Sequence, residues 1–185
     1  DPNIILVGEI RDKETTDLAI QASLTGHLVF STLHTSNAAS SLPRLIDMGA
    51  ESFLLASTMN AVVGQRIARK ICKFCKKAYV PAQELISELR KNLGPLMKAP
   101  EVGIMLFRGE GCDYCGHSGY QGRIGIFEVL PISETIAKLI LTKTDAAGIE
   151  KQAISEGMIT MKQDGYLKVL EGISTRDEIL RVAQE

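Results

Sequence analysis

The sequence predicts an α/β fold that is followed by a small cysteine-bearing module and a helical tail. Three observations lead to this prediction. Two short apolar runs, residues 4–7 and 28–30, flank a helical pattern. All four cysteines lie between residues 72 and 115. Beyond Pro131, capping residues and glycines recur at the spacing that is typical of short helices.

The first thirty residues are typical of a strand, helix, strand unit with parallel strands. Residues 4–7 form an apolar run without alternation, which predicts a strand buried on both faces. Asp12 can cap a helix over residues 13–25, and Gly26 can end that helix. Residues 28–30 form the second strand.

Two more helices are expected before the cysteines. If one starts at Ser40 or Ser41, Pro43 falls in its first turn, where a missing N–H does no harm. Residues 51–71 have apolar side chains over a wide helical face and end in basic residues. This pattern predicts one long helix.

The remainder of the chain divides into two segments of different character. Residues 72–130 are rich in glycine, with one expected helix over 83–93 and strand-like pieces at 104–107 and 123–129. Residues 131–185 have helix caps at Ser133, Asp145, Thr160 and Thr175, and the last two begin capping boxes with Gln163 and Glu178. We therefore expect three segments: 1–71, 72–130 and 131–185.

The cysteines form two Cys-x-x-Cys pairs, Cys72/Cys75 and Cys112/Cys115. Two such pairs predict one tetrahedral zinc site, because each tight turn offers two thiolates to a shared ion. Disulfides or redox pairs are the alternatives, and a reducing cell interior disfavours them. A site of four thiolates has no open coordination position, so its role would be structural. His117 is the nearest substitute ligand, and it is more typical of an exposed loop residue.

Charge and hydropathy exclude several classes of function. The chain has 21 basic and 22 acidic residues and only 5% aromatic residues, which argues against a zinc ribbon that binds nucleic acid. The basic residues near the first cysteine pair are expected to offset the charge of the zinc thiolates; they are Arg69, Lys70, Lys73, Lys76 and Lys77. No apolar run approaches the roughly 20 residues that span a bilayer. We expect a soluble, intracellular chain without direct membrane insertion.

An acidic residue follows the first apolar run. Glu9 can be a general base that orients water, or an acid that only caps a helix or forms an ion pair. Gly8 allows a ligand to approach the backbone, and Asp12 follows, which suits the acidic strand end of a P-loop NTPase. The phosphate-binding loop itself is not in this sequence. Its nearest match, residues 111–118, has His in place of Lys and contains two presumed zinc ligands.

Two of the three histidines, His27 and His34, lie in the stretch TGHLVFSTLHTS. On one continuous strand they would face opposite sides, so we expect His34 to lie past the strand end. The carboxyl ends of strands in α/β sheets face ligands, which favours His34 over His27 for ligand contact. A structural, hydrogen-bonded role stays open for both.

Several stretches together resemble one known family. DPNIILVGEIRD followed by TGHLVFSTLHT resembles the Walker B and histidine boxes of the secretion and pilus-assembly ATPases, the hexameric motors of type II secretion and type IV pili. Other stretches are similar to the same family; they are RLIDMG, QRIARKIC, the two cysteine pairs, GYQGRIGIFEVL and GMITMKQDGYLKVLEGISTRDEILRV. The resemblance covers essentially the whole chain.

The resemblance implies part of a RecA-like P-loop NTPase core, followed by the tetracysteine zinc module and a C-terminal helical subdomain. It implies that Glu9 is the catalytic glutamate, and that Arg11, Asp12, His27 and His34 lie with Gly8 on the nucleotide face. The upstream half that carries the P-loop in this family is not in the sequence, which looks like a C-terminal fragment. We therefore expect this chain alone to be inactive.

For the intact protein, the resemblance implies ATP and Mg²⁺ as cofactors, a homo-hexamer, and a membrane-embedded platform protein as partner at the inner face of the bacterial inner membrane. The tetracysteine module marks the secretion and pilus-extension branch, because similar retraction motors lack it. The sequence leaves the choice between pilus assembly and type II secretion open. The alternative is a zinc-stabilised interaction module without nucleotide chemistry.

Overall fold

The computed structural model describes residues 2–98 and 103–183. The chain forms two compact units: Asp1–Gly64 with Val129–Met158, and Gln65–Glu128 with Ile159–Glu185. These boundaries differ from those of the three predicted segments, 1–71, 72–130 and 131–185, whose division by function stays a prediction. Among the described residues, no helix combines the length and apolar character needed to cross a membrane.

The α/β character is confirmed. The first unit contains β1 (Ile4–Leu6), α1 (Lys13–Leu24), β2 (Leu28–Phe30), α2 (Ser41–Asp47), α3 (Ser52–Thr58), α5 (Glu134–Leu141) and α6 (Ala146–Ser155). The second contains β4 (Lys76–Tyr79), α4 (Gln83–Leu93), β5 (Leu106–Gly109), α7 (Met161–Leu170) and α8 (Arg176–Val182), with 3₁₀ turns at Gly94–Leu96 and Asp113–Cys115. The paired strands β3 (Ala61–Ile71) and β6 (Tyr120–Pro131) contribute to both units.

The predicted strand, helix, strand unit is confirmed at the start of the chain. β1 and β2 are parallel, with Ile5 opposite Val29. Asp12 caps α1 by accepting a hydrogen bond from the Thr15 N–H at 2.8 Å, and Gly26 follows the helix with a φ of +95°. Burial of β1 on both faces is wrong for this chain. Ile4 and Leu6 are 60% and 79% exposed, because β1 belongs to a sheet of only two strands among the described residues.

The core of the first unit lies among its helices. α2 begins at Ser41, so Pro43 falls in the first turn as predicted. The largest fully buried side chains of this core come from four helices and the end of β6; they are Leu42, Leu55, Leu130, Ile136, Ile140 and Ile149.

The predicted long helix over residues 51–71 is wrong. α3 ends at Thr58, and the chain continues as β3 from Ala61 to Ile71. The segment contains the β-branched residues Val62, Val63 and Ile67, which favour extended backbone. Burial along β3 alternates residue by residue over most of its length, as a strand with one covered face requires. The apolar residues of this segment therefore follow the two-residue period of a strand rather than the face of a helix.

The second unit packs helices against short strands. α4 covers the predicted residues 83–93. β5 begins and ends two residues later than the expected piece at 104–107, and β6 extends beyond the expected piece at 123–129 in both directions. β4 and β5 are antiparallel, with Lys76 opposite Gly109. The largest fully buried side chains of this unit form its core; they are Leu89, Leu93, Leu106, Ile126, Tyr166 and Ile179.

The helix caps of the tail are confirmed, with one difference. Ser133, Asp145, Thr160 and Thr175 each accept a main-chain hydrogen bond at a helix start, and Thr160 forms the full capping box with Gln163. Thr175 accepts from the Glu178 N–H, but the Glu178 carboxylate does not complete the box. That carboxylate binds two arginines instead.

Glu178 is a buried carboxylate that accepts hydrogen bonds from one main-chain N–H and two guanidinium groups. Arg69 donates its main-chain N–H at 2.9 Å and its guanidinium at 2.7 Å, and Arg181 donates at 2.6 Å. Burial raises the pKa of Glu178, but the hydrogen bonds from Arg181 and Arg69 outweigh it and hold the pKa at about 2. Glu178 is therefore ionised in the folded protein at neutral pH.

The low pKa of Glu178 predicts that the free energy of unfolding decreases in acid. The pKa is lowered on folding from its usual value near 4.5, so the contribution to stability is present above that value and is lost as the pH falls toward 2. The shift corresponds to about 3 kcal/mol. We expect Glu178→Gln to lower the free energy of unfolding at pH 7 and to flatten its decrease between pH 5 and 3, as measured by denaturant titration. The exposed Glu171→Gln serves as control, and a Glu178→Gln variant with the parental pH profile would contradict this.

Candidate functional site

Glu9, Arg11 and His34 meet beyond the carboxyl ends of β1 and β2. The Arg11 Nε atom lies 2.6 Å from Glu9 Oε2, and the His34 Nε2 atom lies 3.2 Å from the same oxygen. The parallel pairing of the two strands brings the residues that follow them to one edge. Arg11 and His34 are 70% and 82% exposed, so this cluster faces solvent.

Three hydrogen bonds hold the two chain segments together beyond the strands. The Val7 N–H donates to the Phe30 carbonyl at 2.8 Å, and the Ile10 N–H donates to the Thr32 carbonyl at 2.9 Å. The Thr32 hydroxyl donates to the Gly8 carbonyl at 2.8 Å. The loop that bears Glu9 is therefore fixed on the loop that follows β2.

Gly8 and Asp12 lie on either side of Glu9 and Arg11 in the sequence, and each accepts a hydrogen bond from a threonine, Gly8 through its carbonyl and Asp12 through its carboxylate. Gly8 offers its carbonyl to Thr32, and a Cβ atom built on Gly8 would meet nothing within 4 Å among the described residues. The hydrogen bond from the Thr15 N–H at the start of α1 lowers the pKa of Asp12. Asp12 is thereby tied to the helix start.

His27 is not brought together with Glu9. It precedes β2, whereas His34 follows it, so the two histidines lie at opposite ends of that strand. The His27 Nδ1 atom lies 3.0 Å from both the Ala22 carbonyl and the Thr25 hydroxyl. These contacts tie His27 to the end of α1, which is the structural role that the sequence left open. His34 lies past the strand end as predicted.

The four cysteines converge in the second unit. All four sulfur atoms lie within 4.8 Å of one another. The pairs Cys72–Cys112 and Cys75–Cys115 are separated by 3.9 Å and Cys112–Cys115 by 3.7 Å. A tetrahedral site with Zn–S bonds of about 2.3 Å has edges of about 3.8 Å. The sulfur positions thus fit one ion of this size, and the cysteines are not paired as disulfides.

Main-chain N–H groups supply the hydrogen bonds to one of these sulfurs. The N–H groups of Cys112 and Gly119 both lie 3.3 Å from Cys115 Sγ. Desolvation opposes the thiolate, but these two hydrogen bonds, together with those from the Cys112 and Cys75 side chains, outweigh it and lower the pKa of Cys115 to about 6. Desolvation raises the pKa of Cys112 to about 11. The thiolate is the form of cysteine that binds a metal.

Glycines allow the second cysteine turn to pack closely on its surroundings. A Cβ atom on Gly109 would lie 2.0 Å from the Gly119 carbonyl oxygen, and one on Gly111 would lie 2.8 Å from the His117 carbonyl oxygen. The backbone approach explains the glycine-rich texture of residues 109–119. It also supports rejecting residues 111–118 as a phosphate-binding loop.

The charged residues around the cysteines bind groups other than sulfur. His117 is exposed and pairs with Asp113 at 3.3 Å, so it is a loop residue as predicted. Four of the five basic residues expected to offset the thiolates have other partners: Arg69 pairs with Glu178, Lys77 with Glu110, Lys73 lies over Phe74 and Lys76 over Phe107.

An aromatic stack joins the two cysteine turns. Phe74 precedes Cys75 and Tyr114 precedes Cys115, and their ring centroids lie 4.3 Å apart. The rings are 54% and 70% exposed. Equivalent positions in the two Cys-x-x-Cys turns therefore form one exposed apolar contact, which sequence analysis did not anticipate.

Sequence reasoning also missed a polar cluster between α4 and the last two helices. Glu88 accepts hydrogen bonds from the Tyr166 hydroxyl and from the Arg176 guanidinium, the latter at 2.7 Å. Glu88 and Arg176 line a cleft of about 510 Å³ in the second unit. No local pattern in the sequence indicates this cluster, because Glu88 and Arg176 are 88 residues apart.

Comparison with known proteins gives the family. The sequence profile of the family described as "Type II/IV secretion system protein" matches residues 1–181. The chain belongs to this family. Type II secretion system protein E of Dickeya dadantii is 43% identical over 185 residues, which are 100% of this chain and 35% of that protein. The type IV pilus assembly ATPase PilB of Thermus thermophilus is 42% identical over 180 residues, 97% of this chain and 20% of that protein.

Solved structures show the same fold. The pilus retraction motor PilT with bound ADP has a TM-score of 0.62 at 24% identity, covering 98% of this chain and 39% of PilT. The ATPase DotB of Legionella pneumophila has a TM-score of 0.62 at 20% identity, covering 97% of this chain and 38% of DotB. This family member thus spans about a fifth to two fifths of these proteins.

Proposed function

We propose that this chain is the C-terminal portion of a hexameric ATPase that powers type IV pilus extension or type II secretion. The observation that carries the proposal is the cluster of Glu9, Arg11 and His34 at the carboxyl edge of two parallel strands. Relatives named as secretion or pilus-assembly ATPases support it. In this proposal the intact protein works in the cytoplasm against a platform protein of the inner membrane.

Glu9 is proposed to be the general base. One of its oxygens, Oε2, accepts hydrogen bonds from Arg11 and His34, which fix the orientation of the carboxylate. Among the described residues, Oε1 has no hydrogen-bond partner, so it is the atom to which we assign the proton of the attacking water. A positioned general base typically contributes about 10²–10⁴-fold to a rate.

The side chains at this edge fit a nucleotide. Arg11 and His34 offer nitrogen donors beside a carboxylate, the combination that phosphate and an attacking water require. ATP would supply the phosphoanhydride bond, and Mg²⁺ would neutralise charge on its phosphates. We assign Gly8 and Asp12 to the same proposed nucleotide face on the family resemblance. His27 is assigned to that face by the family resemblance alone.

We further propose that Cys72, Cys75, Cys112 and Cys115 hold a structural Zn²⁺ ion. The sulfur separations support this, since they match the edges of a tetrahedral zinc site. With four protein ligands the ion would have no position for a substrate. Its expected contribution is to hold the two cysteine turns of the second unit together.

The proposal is tested by measuring ATP hydrolysis with Mg²⁺ by the intact protein and by this 185-residue chain. We expect turnover by the intact protein and none by the chain alone, because the family resemblance implies that the P-loop, which cradles phosphate, belongs to an upstream half that is not in this sequence. Turnover by the chain alone would contradict the assignment of an essential upstream half.

A second candidate function is a zinc-stabilised interaction module without nucleotide chemistry. The exposed stack of Phe74 and Tyr114 favours it, because exposed aromatic pairs are common at protein interfaces. An intact protein that neither binds nor hydrolyses ATP would select this alternative.

A further inference from the structure

Thr32 contacts the chain on both sides of Glu9. Its hydroxyl donates a hydrogen bond to the Gly8 carbonyl at 2.8 Å. Its own carbonyl accepts a hydrogen bond from the Ile10 N–H at 2.9 Å. One residue of the second loop therefore holds the peptide groups that flank the proposed base.

These contacts lie where the sheet itself no longer supports the loop. The paired residues of β1 and β2 end at Leu6 and Phe30, and the Val7 N–H makes one more main-chain bond. Beyond that point, the two bonds of Thr32 continue the connection between the segments. Glu9 is the one residue between the two anchored positions, so its main chain has little freedom to move.

Two further features separate this role from ordinary packing. The Thr32 side chain is exposed, so it adds little to the apolar core. The bond to Gly8 depends on the hydroxyl, whereas any residue could make the main-chain bond to Ile10. Removing the hydroxyl thus releases one side of Glu9 and leaves the other side held.

We propose that Thr32 is a positioning residue for Glu9, which it serves by anchoring the Gly8 carbonyl through its hydroxyl. This inference rests on the proposed function, in which Glu9 acts as the base. Misplacement of a reacting group by about 1 Å can cost up to about 10²-fold in rate. The structure assigns that sensitivity to a hydroxyl that does not itself touch the nucleotide in the proposed mechanism.

The test uses the intact protein and four substitutions: Thr32→Val, Thr32→Ala, Thr32→Ser and Thr142→Val. Valine matches the shape of threonine without the hydroxyl, alanine removes it without adding bulk, and serine restores it. Within the part of the chain that the structure describes, the Thr142 hydroxyl bonds only to α5 and to Thr144, so Thr142→Val is the matched control. ATP turnover at saturation, ATP affinity and thermal unfolding are measured for each variant.

We expect Thr32→Val and Thr32→Ala to lower kcat about tenfold or more with ATP affinity unchanged, while Thr32→Ser and Thr142→Val stay within about twofold of the parent. Parental kcat in both Thr32→Val and Thr32→Ala, beside an inactive Glu9→Gln variant, would overturn the role of Thr32 and leave the proposed function intact. Parental kcat in Glu9→Gln would overturn both. If Thr32→Ser lowers kcat as much as Thr32→Val and Thr32→Ala do, the role of the hydroxyl would also be overturned.

Discussion

Replacing Glu9 by glutamine in the intact protein is expected to lower ATP turnover by about 10²–10⁴-fold while ATP binding stays near the parental level. Glutamine keeps the size of the side chain and an oxygen that can accept from Arg11, but it cannot take a proton from water. Steady-state hydrolysis and equilibrium binding of ATP measure the two effects separately.

A matched control lies a short way along the chain. Glu14 is exposed in the first turn of α1 and makes no hydrogen bond among the described residues, so Glu14→Gln changes charge by the same amount at a neighbouring position. It is expected to keep parental turnover. Equal losses in both variants would attribute the effect to charge rather than to the base, and parental turnover in Glu9→Gln would remove Glu9 from that role.

Replacing Cys112 by serine is expected to release the metal and to destabilise the second unit by several kcal/mol. Complete structural zinc sites supply about 10–16 kcal/mol in zinc-finger peptides, and loss of one of four ligands forfeits part of that energy. Metal content by plasma mass spectrometry and amide hydrogen exchange in β4 and β5 measure both consequences. We expect one zinc per chain in the parent and faster exchange in the variant.

The control for this experiment is the neighbouring residue Asp113, whose side chain is exposed and pairs with His117. Asp113→Asn is expected to keep both zinc and the parental exchange rates. A Cys112→Ser variant that retains stoichiometric zinc, or that loses zinc without faster exchange, would contradict a structural role for the ion.

Local signals in the sequence predicted much of the fold. The predicted caps of four helices are present, because a short polar side chain directly before a helix can accept a hydrogen bond from a free main-chain N–H. These caps are Asp12, Ser133, Asp145 and Thr160. The parallel pairing of β1 and β2 also followed from spacing alone. These features depend on residues close together in the chain.

Features that depend on distant residues were not predictable in this way. The strand nature of β3 is set by pairing with β6, some sixty residues away in the sequence, and the β-branched residues of β3 do not by themselves exclude a helix with an apolar face. Glu178 fits the sequence pattern of a capping box, yet its carboxylate accepts a hydrogen bond from Arg69 instead of from the helix start. In both cases tertiary contacts override a local preference.

The residues of the candidate sites show the same difference between local sequence patterns and contacts between distant residues. The pairing of Cys72, Cys75, Cys112 and Cys115 follows from two short motifs, and the structure brings the four sulfurs together. Glu9 and His34 could be placed at one sheet edge because parallel strands share it. Thr32 received no role, since only the geometry shows that a single residue brackets Glu9.

The central claim is that the carboxylate of Glu9 acts in the bond-breaking step on bound ATP. The most direct test is single-turnover cleavage of radiolabelled ATP already bound to the intact protein, compared between the parent and Glu9→Gln. We expect the variant to retain bound ATP uncleaved over times in which the parent releases phosphate. Cleavage of bound ATP by the variant at the parental rate would contradict it.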